Sequence, residues 1–419
     1  MSRILQIVNA IEGYDPDALH VDKARAAIRA CLAPVTASER LPVREALGRV
    51  LAQDVVPAID VPGHDNTAMD GYAVRFADLG KGDTVLEEVG GALAGKKFEG
   101  SLGAGQCVRV TTGAVMPAGA DTVVVQEVVQ VRGGKVTVPA GQKAAQNVRY
   151  AGEDLKMGVP VLGPGQALRP AELGLIASLG LGEVQVRRRV RVAFFSTGDE
   201  LASVGSALRE GEVYDSNRYT LHGMLTRLGV EIQDLGVVRD DPALLEAAFR
   251  KAAAHADAIV TTGGVSVGEA DFVKPMMAQL GEALFWRIAM RPGRPMAFGR
   301  IGDAFLFGLP GNPVAVMVTF YQFVREALLI LSGRAGDCAL PLLKVPAAEP
   351  LRKVAGRTEY QRGLMFRDAG GWKAKATGQQ GSGVLRSMSE ANCFIVLEHE
   401  RGRVEAGEPV QVQLFEGLA

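Results

Sequence analysis

Between residues 190 and 331 short apolar runs alternate with stretches of helical spacing. The run VRVAFF ends in STGDE, residues 196–200, and a helical stretch follows the YDSN of residues 214–217. A second run, residues 230–238, ends in Arg239, Asp240 and Asp241 before a helical stretch over 242–255. A third, residues 258–260, enters GGVSVG at 263–268, and residues 272–280 again have helical spacing. In FLFGLPGNPVAV, residues 305–316, a strand precedes a helix expected to start after Asn312 and Pro313, an N-cap and first-turn signal. Such alternation predicts βαβ units and a mostly parallel sheet with helices on both faces.

The flanks follow other patterns. Residues 21–32 predict a helix with Asp22 as its N-cap, and residues 47–56 read as a helix end running into extended chain. From 84 to 139 short β-rich runs are separated by glycine, which predicts a small inserted β domain. A hydroxyl- and glycine-rich loop, residues 110–121, interrupts it, and residues 147–158 form a linker with Glu153 and Asp154. Residues 168–179 predict a helix, and four arginines within 187–191 mark the next boundary. Residues 340–419 are β-rich again, with turns at 369–371 and 378–383.

Composition narrows the class. The 419 residues exceed one ordinary core, so several domains are expected. Lys and Arg total 46 against 47 Asp and Glu, so no overall field draws in nucleic acid or an anionic membrane. Four scattered cysteines without a CxxC pair argue against a disulfide framework or structural zinc and point to the reducing cytoplasm. The N-terminal stretch lacks the pattern of a signal peptide, and no run approaches the roughly 18 apolar residues that span a bilayer.

Candidate chemistry gathers at the strand ends. Gly263, Gly264 and Gly268, with Ser266 between them, let backbone N–H groups approach an anion, and Glu269 and Asp271 follow at once. Acid pairs therefore end three runs: Asp199 with Glu200, Asp240 with Asp241, and Glu269 with Asp271. Any one pair could be a helix cap, whereas three on one sheet edge suggest a bound cation beside a phosphate. Arg287, Arg291 and Arg294 supply countercharge, since guanidinium forks suit oxyanions. Beyond Gly311 the predicted helix N-terminus is a further anion site, and Arg362 in YQRG and Ser382 in GQQGSG are additional donors. In HDNTAMDGYAV, residues 64–74, Asp65, Asn66, Thr67 and Asp70 read either as a surface turn or as a site. No GxxxxGK[ST], GxGxxG or HExxH motif appears.

TTGGVSVGEADF, STGDEL, NTAMDGYAV, TTGAVMPAGAD and GLPGNP occur together and in order, and with them the chain resembles the MoeA family of molybdopterin molybdenumtransferases. The resemblance implies a multidomain α/β plus β fold. Its parts are an elongated helical or linker domain (1–55 with 148–186), a small β domain (56–147), a doubly wound α/β molybdopterin-binding domain (187–334) and a C-terminal β-barrel-like domain (335–419). It implies a cytoplasmic homodimer that inserts molybdate into adenylylated molybdopterin and releases AMP with magnesium, Mg2+, present. The family's functional acids fall on Asp70, Asp154, Glu200, Asp240 and Asp271, with Thr112 beside them, and Glu200, Asp240 and Asp271 are the candidate metal ligands. Substrate contacts fall on the glycine turn, Pro310, Gly311, Asn312, Pro313, Arg362 and Ser382. Where lysines are expected, this chain has Arg287 and Arg291. The competing expectations are a molybdopterin adenylyltransferase and a gephyrin-like scaffold.

Overall fold

The structure is a computed structural model that describes residues 3–264 and 273–415. The chain divides into two compact units, one of Met1–Glu39, Gly48–Val50 and Arg187–Ala419, the other of Arg40–Leu47 and Leu51–Val186.

The first unit is built on a six-stranded sheet ordered Glu231–Val238, Arg191–Thr197, Ala258–Thr262, Ala304–Leu309, Pro295–Ile301, Glu282–Arg287. The first four strands are parallel and the last two join antiparallel. Alternating side chains divide these strands between two cores, as the period of two requires. Val192, Phe194, Val260 and Phe307 enter one core with the helices Ser216–Arg227 and Pro313–Leu331. Ala193, Phe195, Ile259 and Leu306 enter the other, with Pro242–Ala253 and Val273–Leu280. Near-continuous apolar strands in the sequence therefore mean burial on both faces.

The larger core extends past the sheet. It takes in Ile4 and Val8 of helix Arg3–Asn9, and Ala24, Ala27 and Ile28 of helix Val21–Cys31. It also takes in Tyr360, Phe394 and Val396 of the C-terminal sheet. The two N-terminal helices thus pack with residues from 187 onward, whereas the resemblance implied grouping 1–55 with 148–186. Helix Val21–Cys31 is capped by His20, whose side chain accepts from Asp22 N–H, so Asp22 itself is not the cap. The stretch Pro313–Leu331 is long and apolar enough to cross a membrane by length and composition, which exceeds the expectation from sequence. Its apolar residues, Val316, Phe320 and Leu328 among them, fill the larger core instead. In its middle, Phe320–Val324 widens into a π turn, and the Gln322 carbonyl accepts from Arg25 Nε at 3.3 Å.

The C-terminal sheet runs Met290–Arg291, Thr358–Asp368, Cys393–Leu397, Pro409–Leu414, Leu343–Pro346, and Gly371–Ala376 pairs with the long strand. Met290 and Arg291 pair in parallel with Thr358 and Glu359, so the segment leaving the α/β sheet starts the next one.

The second unit carries a six-stranded sheet ordered Thr122–Val125, Gly71–Val74, Gln106–Val110, Thr84–Ala92, Lys135–Val138, Gln130–Arg132. Its faces bury Tyr72, Val74 and Val124 on one side and Ala73, Val108 and Val123 on the other. The remainder holds helix Pro170–Ser178 and extended pairings Leu51 with Val186, Val55 with Leu162 and Val61 with Leu155. Residues 47–48 form a turn and 50–56 carry only isolated bridge pairings, and the nearest helical turn is the short one at Val43–Glu45, so no helix ends there.

Phe307 is fully buried and lies 5.5 Å from the Phe298 ring. Replacing it with alanine is expected to destabilise the first unit by about 3–5 kcal/mol, the cost of a large cavity. Denaturant unfolding followed by the fluorescence of buried Trp286 measures this, and a shift below about 1 kcal/mol contradicts the core assignment.

Candidate active site

The parallel strands finish level with one another. Ser196 is opposite Thr262, and Thr262 is opposite Leu309, so the turns after Thr197, Thr262 and Leu309 open on the same edge. An antiparallel strand brings its beginning to that edge, which adds Arg294 and Pro295. A cleft of about 750 Å³ forms there. Open α/β sheets bind ligands outside the carboxyl ends of their strands.

Close approach explains two of its glycines. Gly263 has φ +92°, and a Cβ there would strike the Thr197 carbonyl. Gly198 has φ +147°, and a Cβ would collide with the Glu200 carboxylate, which lies over the turn. Beneath the cleft, Asn217 Nδ2 donates to Thr262 Oγ1 at 3.0 Å and to the Gly311 carbonyl at 2.7 Å. Thr262 Oγ1 donates to the Pro310 carbonyl at 3.0 Å. This buried network ties two of the turns together, and Asn217 gave no sequence signal beyond its place near a helix start.

Glu200 and Asp240 both line the cleft. Asp199 accepts from the Asp240 backbone N–H at 3.3 Å and so supports the second acid from the first turn. Asp241 caps helix Pro242–Ala253 by accepting from Ala243 and Leu244 N–H, the ordinary use of an acid after a strand. Ser266, Gly268, Glu269 and Asp271 lie outside the described residues. Among the described residues, no group of three or more His, Cys, Asp or Glu gathers as a metal cluster.

Opposite charge comes from Arg291, Arg294 and Arg357. Arg357 is paired with buried Glu359 at 2.9 Å. Arg291 and Arg294 are exposed and form no ion pair among the described residues. Arg287 departs from expectation: it does not line the cleft and lies 3.7 Å from Asp17. The strand Glu282–Arg287 ends at the sheet margin, four residues before Arg291, and the chain turns between them. Arg357 escaped the sequence reading because its loop reaches the cleft only through tertiary packing.

Pro310, Gly311 and Asn312 line the cleft, as does Ser382, whereas Pro313 is not among the lining residues. Asn312 holds the N-cap position without a side-chain cap bond. The Ser382 carbonyl instead accepts from Val314 N–H at 3.1 Å. Arg362 also departs from expectation. Its side chain is 1% exposed and lies outside the cleft lining, with Nη2 donating to the Gln379 and Gly381 carbonyls and Nε to Ser387 Oγ. Burial, and then the nearby Arg291 charge, pull its pKa down to about 10.

The remaining acids belong to the second unit. Asp70 Oδ1 accepts from Thr112 N–H at 2.7 Å and from Thr112 Oγ1 at 2.9 Å. These bonds hold its carboxyl below the ordinary aspartate range, the backbone N–H contributing most. Asp154 donates its own N–H to the Val61 carbonyl. All four cysteines are free thiols, and burial pushes Cys107 and Cys393 up to about 12, far from nucleophilic.

Three family models cover most of the chain. Residues 19–180 match the MoeA N-terminal region (domain I and II), 193–329 a probable molybdopterin binding domain, and 344–415 the MoeA C-terminal region (domain IV). A Haemophilus influenzae protein named molybdopterin molybdenumtransferase is 42% identical over 402 residues, covering 96% of this chain and 99% of that protein. The chain belongs to the MoeA family. Another MoeA relative, from Nostoc sp. and of the same name, is 36% identical, with 87% of this chain and 86% of that protein covered. A MoeA structure from Pyrococcus horikoshii superposes with a TM-score of 0.83 at 28% identity, covering 95% of this chain and 100% of its own. A role in molybdenum cofactor biosynthesis follows from membership of the MoeA family.

Thr112→Val removes one of the two donors to Asp70. The Asp70 midpoint, followed by NMR titration, is expected to rise towards the ordinary range without reaching it, because the backbone bond remains. A carboxyl lowered in this way adds stability above its unfolded pKa and loses it as pH falls through the folded value. The variant should therefore lose less stability on acidification than the parent, and an unmoved midpoint contradicts the assignment.

Proposed function

We propose that the chain transfers molybdate into adenylylated molybdopterin and releases AMP, with magnesium as cofactor. The observation that carries this reading is a single cleft that has Glu200 and Asp240 at strand ends and Arg291, Arg294 and Ser382 among its other lining residues. A pterin nucleotide and a tetrahedral oxyanion are both anionic, so the arginines suit either. The glycine turn and Gly311 offer backbone approach to phosphate oxygens.

The residues present fit magnesium, which takes one or two carboxylates and completes its shell with water and substrate phosphates. Glu200 and Asp240 would hold it, and Asp271 follows the glycine turn in sequence. Bound there, magnesium supplies charge stabilisation on the phosphate oxygens as the phosphoanhydride breaks. Asp199 keeps Asp240 in position through its backbone N–H. Arg291 and Arg294 neutralise incoming oxyanion charge and orient it toward the pterin sulfurs. No protein thiol is required, in keeping with buried, high-pKa cysteines. Asp70, Thr112 and Asp154 are carried over as functional residues by their match to the family's motifs, and the working form is a homodimer in the cytoplasm.

Glu200→Ala is expected to abolish cofactor formation, read as activation of a cofactor-free molybdoenzyme, while thermal unfolding stays cooperative. Full turnover by this variant removes the role. Incubating the parent chain with ATP and free molybdopterin should yield no pyrophosphate, and its release would favour an adenylyltransferase.

A further inference from the structure

Residues 379–382 reach the cleft without belonging to a helix or strand, so side chains must fix their course. Gln380 contributes most to this. Its Oε1 accepts from Arg362 N–H at 2.8 Å, and its Nε2 donates to the Arg362 carbonyl at 3.0 Å. The strand that pairs with Thr358–Asp368 ends at Ala376, opposite Gly363. The next residue, Thr377, still donates its N–H to the Arg362 carbonyl at 2.8 Å, so the Gln380 carboxamide adds a second donor there and supplies the partner of the Arg362 N–H.

Arg362 holds the same segment from the other side. Its Nη2 donates to the carbonyls flanking Gln380, at 3.3 Å to Gln379 and 3.0 Å to Gly381. Its Nε donates to Ser387 Oγ at 3.0 Å, and that hydroxyl donates onward to the Val384 carbonyl. The fixed loop then presents Ser382 to the cleft, while the Ser382 carbonyl closes the first turn of helix Pro313–Thr319. Gln380 also lines a neighbouring cavity of about 510 Å³ that shares Arg291 and Pro292 with the cleft.

We infer that Gln380 is a positioning residue for the oxyanion end of the cleft, locked reciprocally with Arg362, and that Arg362 acts through this loop. The inference rests on the transferase reading above. A carboxamide here serves both backbone groups at once, and of the two the Arg362 N–H depends on it, since the carbonyl keeps the Thr377 N–H. Alanine leaves the Arg362 N–H unpaired, and glutamate keeps the acceptor but loses the donor.

Gln380→Ala and Gln380→Glu are compared with the parent full-length chain in the magnesium-dependent reaction. Molybdate and adenylylated molybdopterin are each varied in turn. For Gln380→Ala the molybdate KM should rise roughly tenfold, the scale of one buried N–H left unpaired. The KM for the pterin nucleotide should stay within about twofold, and kcat at saturating molybdate should be near that of the parent. Gln380→Glu retains a partner for the Arg362 N–H, so it guards against misfolding of the alanine variant and should show a smaller rise of the same kind. An unchanged molybdate KM in both variants, or an equal loss for both substrates, overturns the inference. A parent chain that turns over neither substrate overturns the transferase reading itself, a different result from parent activity with indifferent variants.

Discussion

The shared level of the parallel strand ends is the constraint on which the site depends. Parallel pairing in unbroken register sets Ser196 against Thr262 and Thr262 against Leu309, so three turns must emerge together. A slip of one residue would exchange the two buried faces along a whole strand, exposing Phe194 or Phe195 to the wrong core. Core packing therefore fixes the height of the turns. Glycine at 198 and 263 is the local consequence, because backbone and carboxylate occupy the space a side chain would need. The position of Glu200 follows from how deeply the sheet is buried.

Charge in the cleft is arranged with economy. Of the acids at the strand ends, Asp241 is used as a helix cap and Asp199 supports a backbone N–H, while Glu200 and Asp240 line the cleft. Among the arginines, Arg357 is partly neutralised by Glu359, and Arg362 is buried in a framework of carbonyls. Burying a guanidinium this fully is costly unless its donors are met, and here two loop carbonyls take Nη2 and the Ser387 hydroxyl takes Nε. The cost is offset by a fixed course for residues that would otherwise wander. The segment Met290–Arg291 brings the C-terminal sheet within reach of the α/β edge by pairing with Thr358 and Glu359.

The sequence made some of this plain and hid the rest for identifiable reasons. Strand and helix order between 190 and 331 was legible because runs buried on both faces, separated by glycine turns, have few other readings. Acids at the ends of those runs were legible for the same reason, and Glu200 and Asp240 do line one cleft. The capping roles of Asp241 and His20 depend on where the chain enters each helix, which residue type alone does not decide. Arg287 and Arg291 look equivalent in sequence, yet a turn between two short strands sends one towards Asp17 and the other into the cleft. Arg357 and Asn217 acquire their places from contacts across the fold, to which local pattern is blind.

AMP release tests the central claim most directly: a cleft at the carboxyl edge of the sheet that holds a pterin nucleotide beside a metal oxyanion. The purified chain is mixed with adenylylated molybdopterin, magnesium and either molybdate or tungstate, and nucleotide is followed over time. The account predicts AMP in step with metal insertion, and none when the oxyanion or magnesium is withheld. AMP release that ignores both, or no release in the complete mixture, would contradict it.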